Sequence, residues 1–233
     1  MRARAGLWGR VVRLAWGGAL VGFVASGCAL VYATANDVTR YSRILTPTPP
    51  GVATDLIVRD AADRHGRHAS FRILLFSDEH RWRLSSYQAL EEVDAPAFTP
   101  EMRRVLDSAR EIICVGASSE ELPRGLSAAA GRRVEEARAA RRAERIAMWV
   151  RGAVSSPVLI RKLNVGHHTP TGGTRTSDQR RVVIVLVLDR EEGADVDDAL
   201  RAAMRVESSR APVFDALLTR YSLSSGERFT WVE

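Results

Sequence analysis

Three groups of residues in the middle of the chain carry side chains that could do chemistry. Ser118-Ser119-Glu120-Glu121 sets two hydroxyls beside two carboxylates, while Arg142, Arg180 and Arg181 supply guanidinium groups. His167 and His168 stand next to Thr169 and Pro170, at the start of a Gly/Thr-rich stretch. A carboxylate and a guanidinium together can hold a zwitterionic amino acid. The carboxylate takes the ammonium, and the planar fork of an arginine makes two parallel charge-assisted bonds to the other end. Acyl transfer is a second option wherever serine, histidine and acid occur. No Gly-x-Ser-x-Gly elbow is present, however, and adjacent histidines on an extended segment point to opposite faces. No residue is therefore assigned a catalytic role. His65, His68 and His80 invite a metal reading, but Gly66 and the surrounding charges favour a turn, and no cysteine or tight carboxylate cluster completes a ligand set. Neither a phosphate-cradling loop nor a cofactor fingerprint occurs, and no metal or cofactor is expected.

These residues need a scaffold, and the flanking pattern describes one. Leu56-Ile57-Val58 and Phe71 to Phe76 read as strands joined by a polar turn. Thr99-Pro100-Glu101 opens a helix with a capping hydroxyl and proline at its first position, and Met102, Val105, Leu106 and Ala109 give it one apolar stripe. Ile112 to Val115 is an apolar strand running into Gly116-Ala117-Ser118-Ser119, with Cys114 as a small core residue. Gly131 to Val150 is a long helix with Ala139, Ala143, Ile146, Ala147 and Val150 inward. On it Arg138, Arg141, Arg142 and Arg145 are expected on the other faces, near Glu135, Glu136 and Glu144. Val158 to Val165 and 181–188 supply further strands, helices follow at about 195–206 and 212–221, and Arg228 to Val232 is a candidate edge strand. The alternation predicts an α+β fold, a two-layer sandwich with helices on one face of a small mixed sheet.

Four pieces in fixed order resemble the OmpA-like peptidoglycan-binding domain family. They are Gly116-Ala117-Ser118-Ser119, Arg142-Ala143-x-x-Ile146, Asn164-Val165-Gly166-His167-His168-Thr169-Pro170, and Gln179-Arg180-Arg181-Val182-Val183-Ile184. In that family a loop aspartate and a helix arginine grip the diaminopimelate of the peptidoglycan stem peptide. The resemblance implies that Arg142 is the ligand arginine, helped by Arg181. Ser119 stands where the family has aspartate, so the ammonium partner falls to Glu120 or Glu121. Glu135 stands in place of the helix asparagine, and the connection from Gly116 to Arg142 is longer than the family's.

The N-terminus reads as an address. Arg2, Arg4, Arg10 and Arg13 precede an apolar run, and no further charge occurs before Asp37. That order threads a chain across a membrane with its N-terminus inside. Ala25-Ser26-Gly27-Cys28 resembles a lipobox, which would lipidate Cys28; alternatively Leu14 to Ala35 is long enough to span a bilayer uncleaved, or a signal is removed outright. All three readings put the domain outside the cytoplasm, on the periplasmic side of the cell envelope. Without those four arginines the net charge of +6 falls to about +2, and no basic stripe is interleaved with aromatics, so nucleic acid is not an expected partner. With Cys28 in the leader and Cys114 in a strand, no disulfide framework is implied. Thr46-Pro47-Thr48-Pro49-Pro50-Gly51 reads as a stiff spacer. The expected organisation is an anchor over 1–35, a spacer over 36–54, an OmpA-like domain over 55–190 with its core at 99–188, and a C-terminal extension over 191–233. The function this implies is noncovalent tethering of membrane to wall. The alternative is a fold kept as a structural component that meets other envelope proteins.

Overall fold

The computed structural model describes residues 48–171, 176–207, 212–224, 226 and 228–233. The expected anchor, with Cys28, and residues 36–47 of the spacer lie outside these residues. Among the described residues no helix is long and apolar enough to cross a membrane.

Six strands form one mixed sheet: β1 (Val52–Ala62), β2 (His68–Phe76), β3 (Glu111–Ser118), β4 (Leu159–His167), β5 (Val183–Arg190) and β6 (Thr230–Val232). Their order across the sheet is β1-β2-β5-β3-β4-β6. Only β3 and β4 run parallel; every other neighbouring pair is antiparallel. The first strand is far longer than Leu56-Ile57-Val58, and it starts inside the segment read as spacer.

Helices cover both faces, which corrects the expected two-layer arrangement. On one face lie α1 (Pro100–Asp107) and α2 (Ala128–Ala153), with Met102, Leu106, Ile146 and Val150 against Leu74, Phe76, Ile112, Cys114, Ile184 and Leu186. On the other lie α3 (Val196–Glu207) and α4 (Pro212–Thr219), whose Leu200, Met204, Phe214 and Leu217 meet Phe71, Ile73, Ile113, Val115, Val185 and Val187. Side chains alternate between the two faces of a strand, so burial on both requires an unbroken apolar run. The runs Ile112 to Val115 and Val182 to Leu188 have that form. Residues 191–233 are thus the second helical layer and an edge strand of the same sheet, not an appendage to it.

Local signals fix the helix starts. The Thr99 hydroxyl accepts from the Met102 amide at 3.3 Å, and the Ser127 hydroxyl from the Ala130 amide at 3.3 Å. Asp195 caps α3 by accepting from the amides of Asp197 and Asp198 at 3.1 and 3.2 Å. Gly116 sets how closely α2 crosses β3. A Cβ there would come within 1.9 Å of the Ala139 carbonyl oxygen and 2.7 Å of the Ala143 nitrogen. Close approach at this crossing depends on glycine in the strand and alanine in the helix.

Candidate functional site

The parallel pair β3–β4 ends in a cluster of polar groups. Ser118 faces His167 in the strand register, and the His168 amide continues the pairing by donating to the Ser118 carbonyl at 2.8 Å. Two loops diverge here: 119–127 leads into α2, and 168–182 leads into β5 by way of a 3-10 turn at Ser177–Arg180. The candidate residues meet at this end, but their availability differs from expectation.

Arg142 is fully buried. Its Nε donates to the Ser86 carbonyl at 2.8 Å, Nη1 to the Ala117 carbonyl at 2.7 Å, and Nη2 to the Arg83 carbonyl at 3.3 Å. The guanidinium carbon also lies 5.6 Å from the centre of the Trp82 ring. Burial, with Arg138 adding repulsion, lowers the guanidinium pKa to about 9, so it remains charged at neutral pH. Arg142 belongs to the packed face of α2, together with Glu135, Ala139, Ala143, Ile146 and Val150. The expectation that Arg142 lies on a face other than the buried one is corrected. Three backbone carbonyls take three of its five N–H donors, one at each nitrogen, and the group has no solvent-exposed surface.

The cover is a strap at 81–92, folded on itself through the Trp82–Leu90 bridge. The Trp82 ring stacks on Trp149 of α2, 5.3 Å apart at 11°. Arg180 fastens the strap from the other side: its Nε donates to the Trp82 carbonyl at 3.0 Å and its Nη2 to Glu91 at 3.0 Å. Arg180 thus pairs with Glu91, and its Nη1 lies 3.5 Å from Glu121.

The two carboxylates are engaged as well. Glu120 accepts from the amide and hydroxyl of Thr171, at 2.7 and 2.9 Å, and from the Gln179 amide group at 3.3 Å. Burial alone would raise its pKa, but these bonds outweigh burial and hold it below the ordinary value. Glu121 likewise suffers burial, yet hydrogen bonds from Ser119 and Thr176 and the nearby Arg180 keep its pKa low. Ser119 itself is buried. Neither glutamate is free to swing toward an ammonium. Instead both carboxylates hold the 168–180 loop against the end of the sheet.

Arg181 lies just ahead of β5 rather than within it. It donates to Asp178 at 2.8 Å and pairs with Asp78 at 3.0 Å, and Arg81 joins the same two carboxylates at 2.5 and 2.7 Å. This four-charge surface knot ties the strap to the 3-10 turn.

The hydroxyl of Ser118 donates to Glu135, which is also paired with Arg138. His168 turns Nδ1 toward the Thr169 carbonyl at 2.7 Å and sets its ring edge-on to Tyr221, 4.9 Å away. His167 is buried with Nδ1 unpartnered. Burial pulls the pKa of both histidines down. The Ser118 hydroxyl is thus turned to Glu135, and among the described residues no side-chain hydrogen bond joins it to either imidazole. Among the described residues no three His, Cys, Asp or Glu side chains are placed to hold a metal ion. The residues that sequence reasoning missed are Trp82, Ser86, Thr171, Thr176, Gln179 and Tyr221. Most act through backbone carbonyls or single hydroxyls, which leave no mark in residue type.

Comparison with known proteins adds no relative: no family model matches the chain, and no curated protein or solved structure matches it.

Proposed function

We propose that this chain is an envelope-anchored protein with a divergent OmpA-like fold, acting as a structural or interaction component of an envelope assembly rather than as a binder of the peptidoglycan stem peptide. The observation that carries this reading is the carbonyl cage around Arg142. A buried guanidinium bonded to a carbonyl at each of its three nitrogens is better suited to clamping the strap than to meeting a ligand from solvent. The order strand, loop, helix, strand, closing strand supports the OmpA-like reading, because β3, α2, β4 and β5 follow one another as the four motif pieces do. The basic and apolar N-terminus supports attachment to a membrane, by a lipid at Cys28 or by an uncleaved span, with the domain on the periplasmic side. Access to the guanidinium through the strap would break its two hydrogen bonds to the Ser86 and Arg83 carbonyls and the Trp82–Trp149 stack.

The test is co-sedimentation of the full chain, in mild detergent, with insoluble peptidoglycan. The expected result is no pelleting above the detergent control. Pelleting that a free diaminopimelate-containing stem peptide competes away, and that Arg142→Lys weakens, would sink the proposal.

A further inference from the structure

The outward side of α2 sets arginines beside exposed apolar side chains. This helix has 26 residues, about 39 Å of surface at 1.5 Å per residue. Arg133, Arg141 and Arg151 are exposed and Arg145 is half-buried, and none of the four forms an ion pair among the described residues. Arg141 and Arg145 instead lie over aromatic rings, at 5.0 Å from the centre of Tyr87 and 5.5 Å from that of Trp149. The helix carboxylates do little to offset them. Glu135 is buried with Ser118 and Arg138, and Glu136 accepts from the Ser222 hydroxyl. Only Glu144 is both exposed and unpaired.

Exposed apolar side chains lie on this helix and on the segments that pack beside it. Met148 is 63% exposed, the most of any large hydrophobic among the described residues, and Val134 on the same helix is 39% exposed. Leu84 crowns the strap between the two carbonyls that bond Arg142, and Leu122 packs against Gly131 at the start of the helix. A water-facing helix has little use for bare methionine and leucine among unpaired arginines. A surface with anionic headgroups above acyl chains satisfies both, because arginine stems lie along apolar material while their forks reach phosphate.

We propose that the outward face of α2, through Arg133, Arg141, Arg145, Arg151, Met148 and Leu84, lies on the surface of an anionic phospholipid bilayer. The charge selects the anionic surface, and the length of chain selects a membrane over a soluble acidic partner. Residues 36–51 separate the apolar N-terminal segment from β1, and even fully extended they reach only about 55 Å. If a membrane holds that segment, the start of β1 is tethered to it by no more than that length. The inference rests on the membrane attachment proposed above and supplies the surface that the attached domain meets.

The test separates attachment from contact. The full chain, with Cys28 retained so that either mode of attachment can operate, carries a genetically encoded polarity-sensitive fluorescent amino acid in place of Met148. It is reconstituted into vesicles of phosphatidylcholine, with or without phosphatidylglycerol, that carry brominated acyl chains. Flotation reads attachment, and quenching reads contact of α2 with lipid. The expected result is flotation with both vesicles, but quenching only with phosphatidylglycerol and only at low salt. Arg133→Gln with Arg141→Gln should cut the contact about 25-fold, at about fivefold per arginine, with the thermal midpoint unchanged. Equal quenching in both vesicles, or none in either, overturns the inference. So does a spectral shift produced by soluble polyglutamate alone, which would assign the face to an acidic protein. Failure to float on phosphatidylcholine overturns the attachment reading instead, and the two failures are thus distinguishable.

Discussion

Arg142→Ala should destabilise the protein by about 3 kcal/mol and free the strap before it unfolds the sheet. The Ala117 carbonyl sits on a buried residue and loses a charge-assisted bond with no water to replace it, at about 1.5–3 kcal/mol. The carbonyls of Ser86 and Arg83 belong to half-buried and exposed residues. They regain water, so each loses about 0.5–1 kcal/mol. Truncation also removes the contact with Trp82. Against this, removing a buried cation that has no carboxylate partner relieves part of its desolvation cost, about 1 kcal/mol or more. For a domain of this size each kcal/mol shifts the midpoint by about 2–4 °C, so Tm should fall by roughly 6–12 °C. Hydrogen exchange should locate the effect. The amides of Trp82 and Arg83, which donate to the Arg180 and Ala89 carbonyls, should exchange at least about tenfold faster, while β3 and β5 follow global stability. Arg142→Lys should fall between wild type and alanine, because one ammonium cannot serve three carbonyls fixed around a planar fork. A Tm change under about 2 °C with unchanged strap exchange would refute the claim that Arg142 is a structural clamp.

Gly116→Ala should destabilise by about 3 kcal/mol, read from urea unfolding, since the new Cβ would meet the α2 backbone at 1.9 Å; a near-neutral result would place the helix farther from β3. Burial holds His80, His167 and His168 below their ordinary pKa of 6.5, so the unfolded chain takes up protons first. The stability they support is therefore complete above about pH 6.5 and is lost as pH falls through that value toward their folded pKa values; the urea midpoint should drop between about pH 7.5 and about pH 5.5, and a flat or rising midpoint would contradict the burial of these rings. Glu120→Ala should leave the helix and sheet content intact while accelerating exchange at Thr171, whose amide loses its acceptor; unchanged exchange there would show that the carboxylate does not hold the loop.

Much of the scaffold was legible because its causes are local. Thr99-Pro100, the apolar stripe of α1, the runs at 112–115 and 182–188 and the proline at 212 each mark an element by propensity, capping or period. The same runs carried a further message that a one-face reading overlooked: unbroken apolar strands need cover on both sides, which α3 and α4 provide. The candidate site was legible only as a neighbourhood. Ser119, Glu120, Glu121, Arg142 and Arg181 do gather around the end of β3, as their order along the chain suggests, but each is already committed to a partner.

The sequence by itself determined the order of strands and helices, the basic and apolar N-terminus, and which residue types could meet. Tertiary structure alone decided whether Arg142 faces a ligand or a cage. A helix of 3.6 residues per turn puts position 142 close to the border of the buried face, and its fate then depends on what the chain lays over it. That cover is the backbone of a strap 56 and 59 residues away in sequence. Every residue has a carbonyl, so no side-chain pattern announces that three of them will converge on one guanidinium.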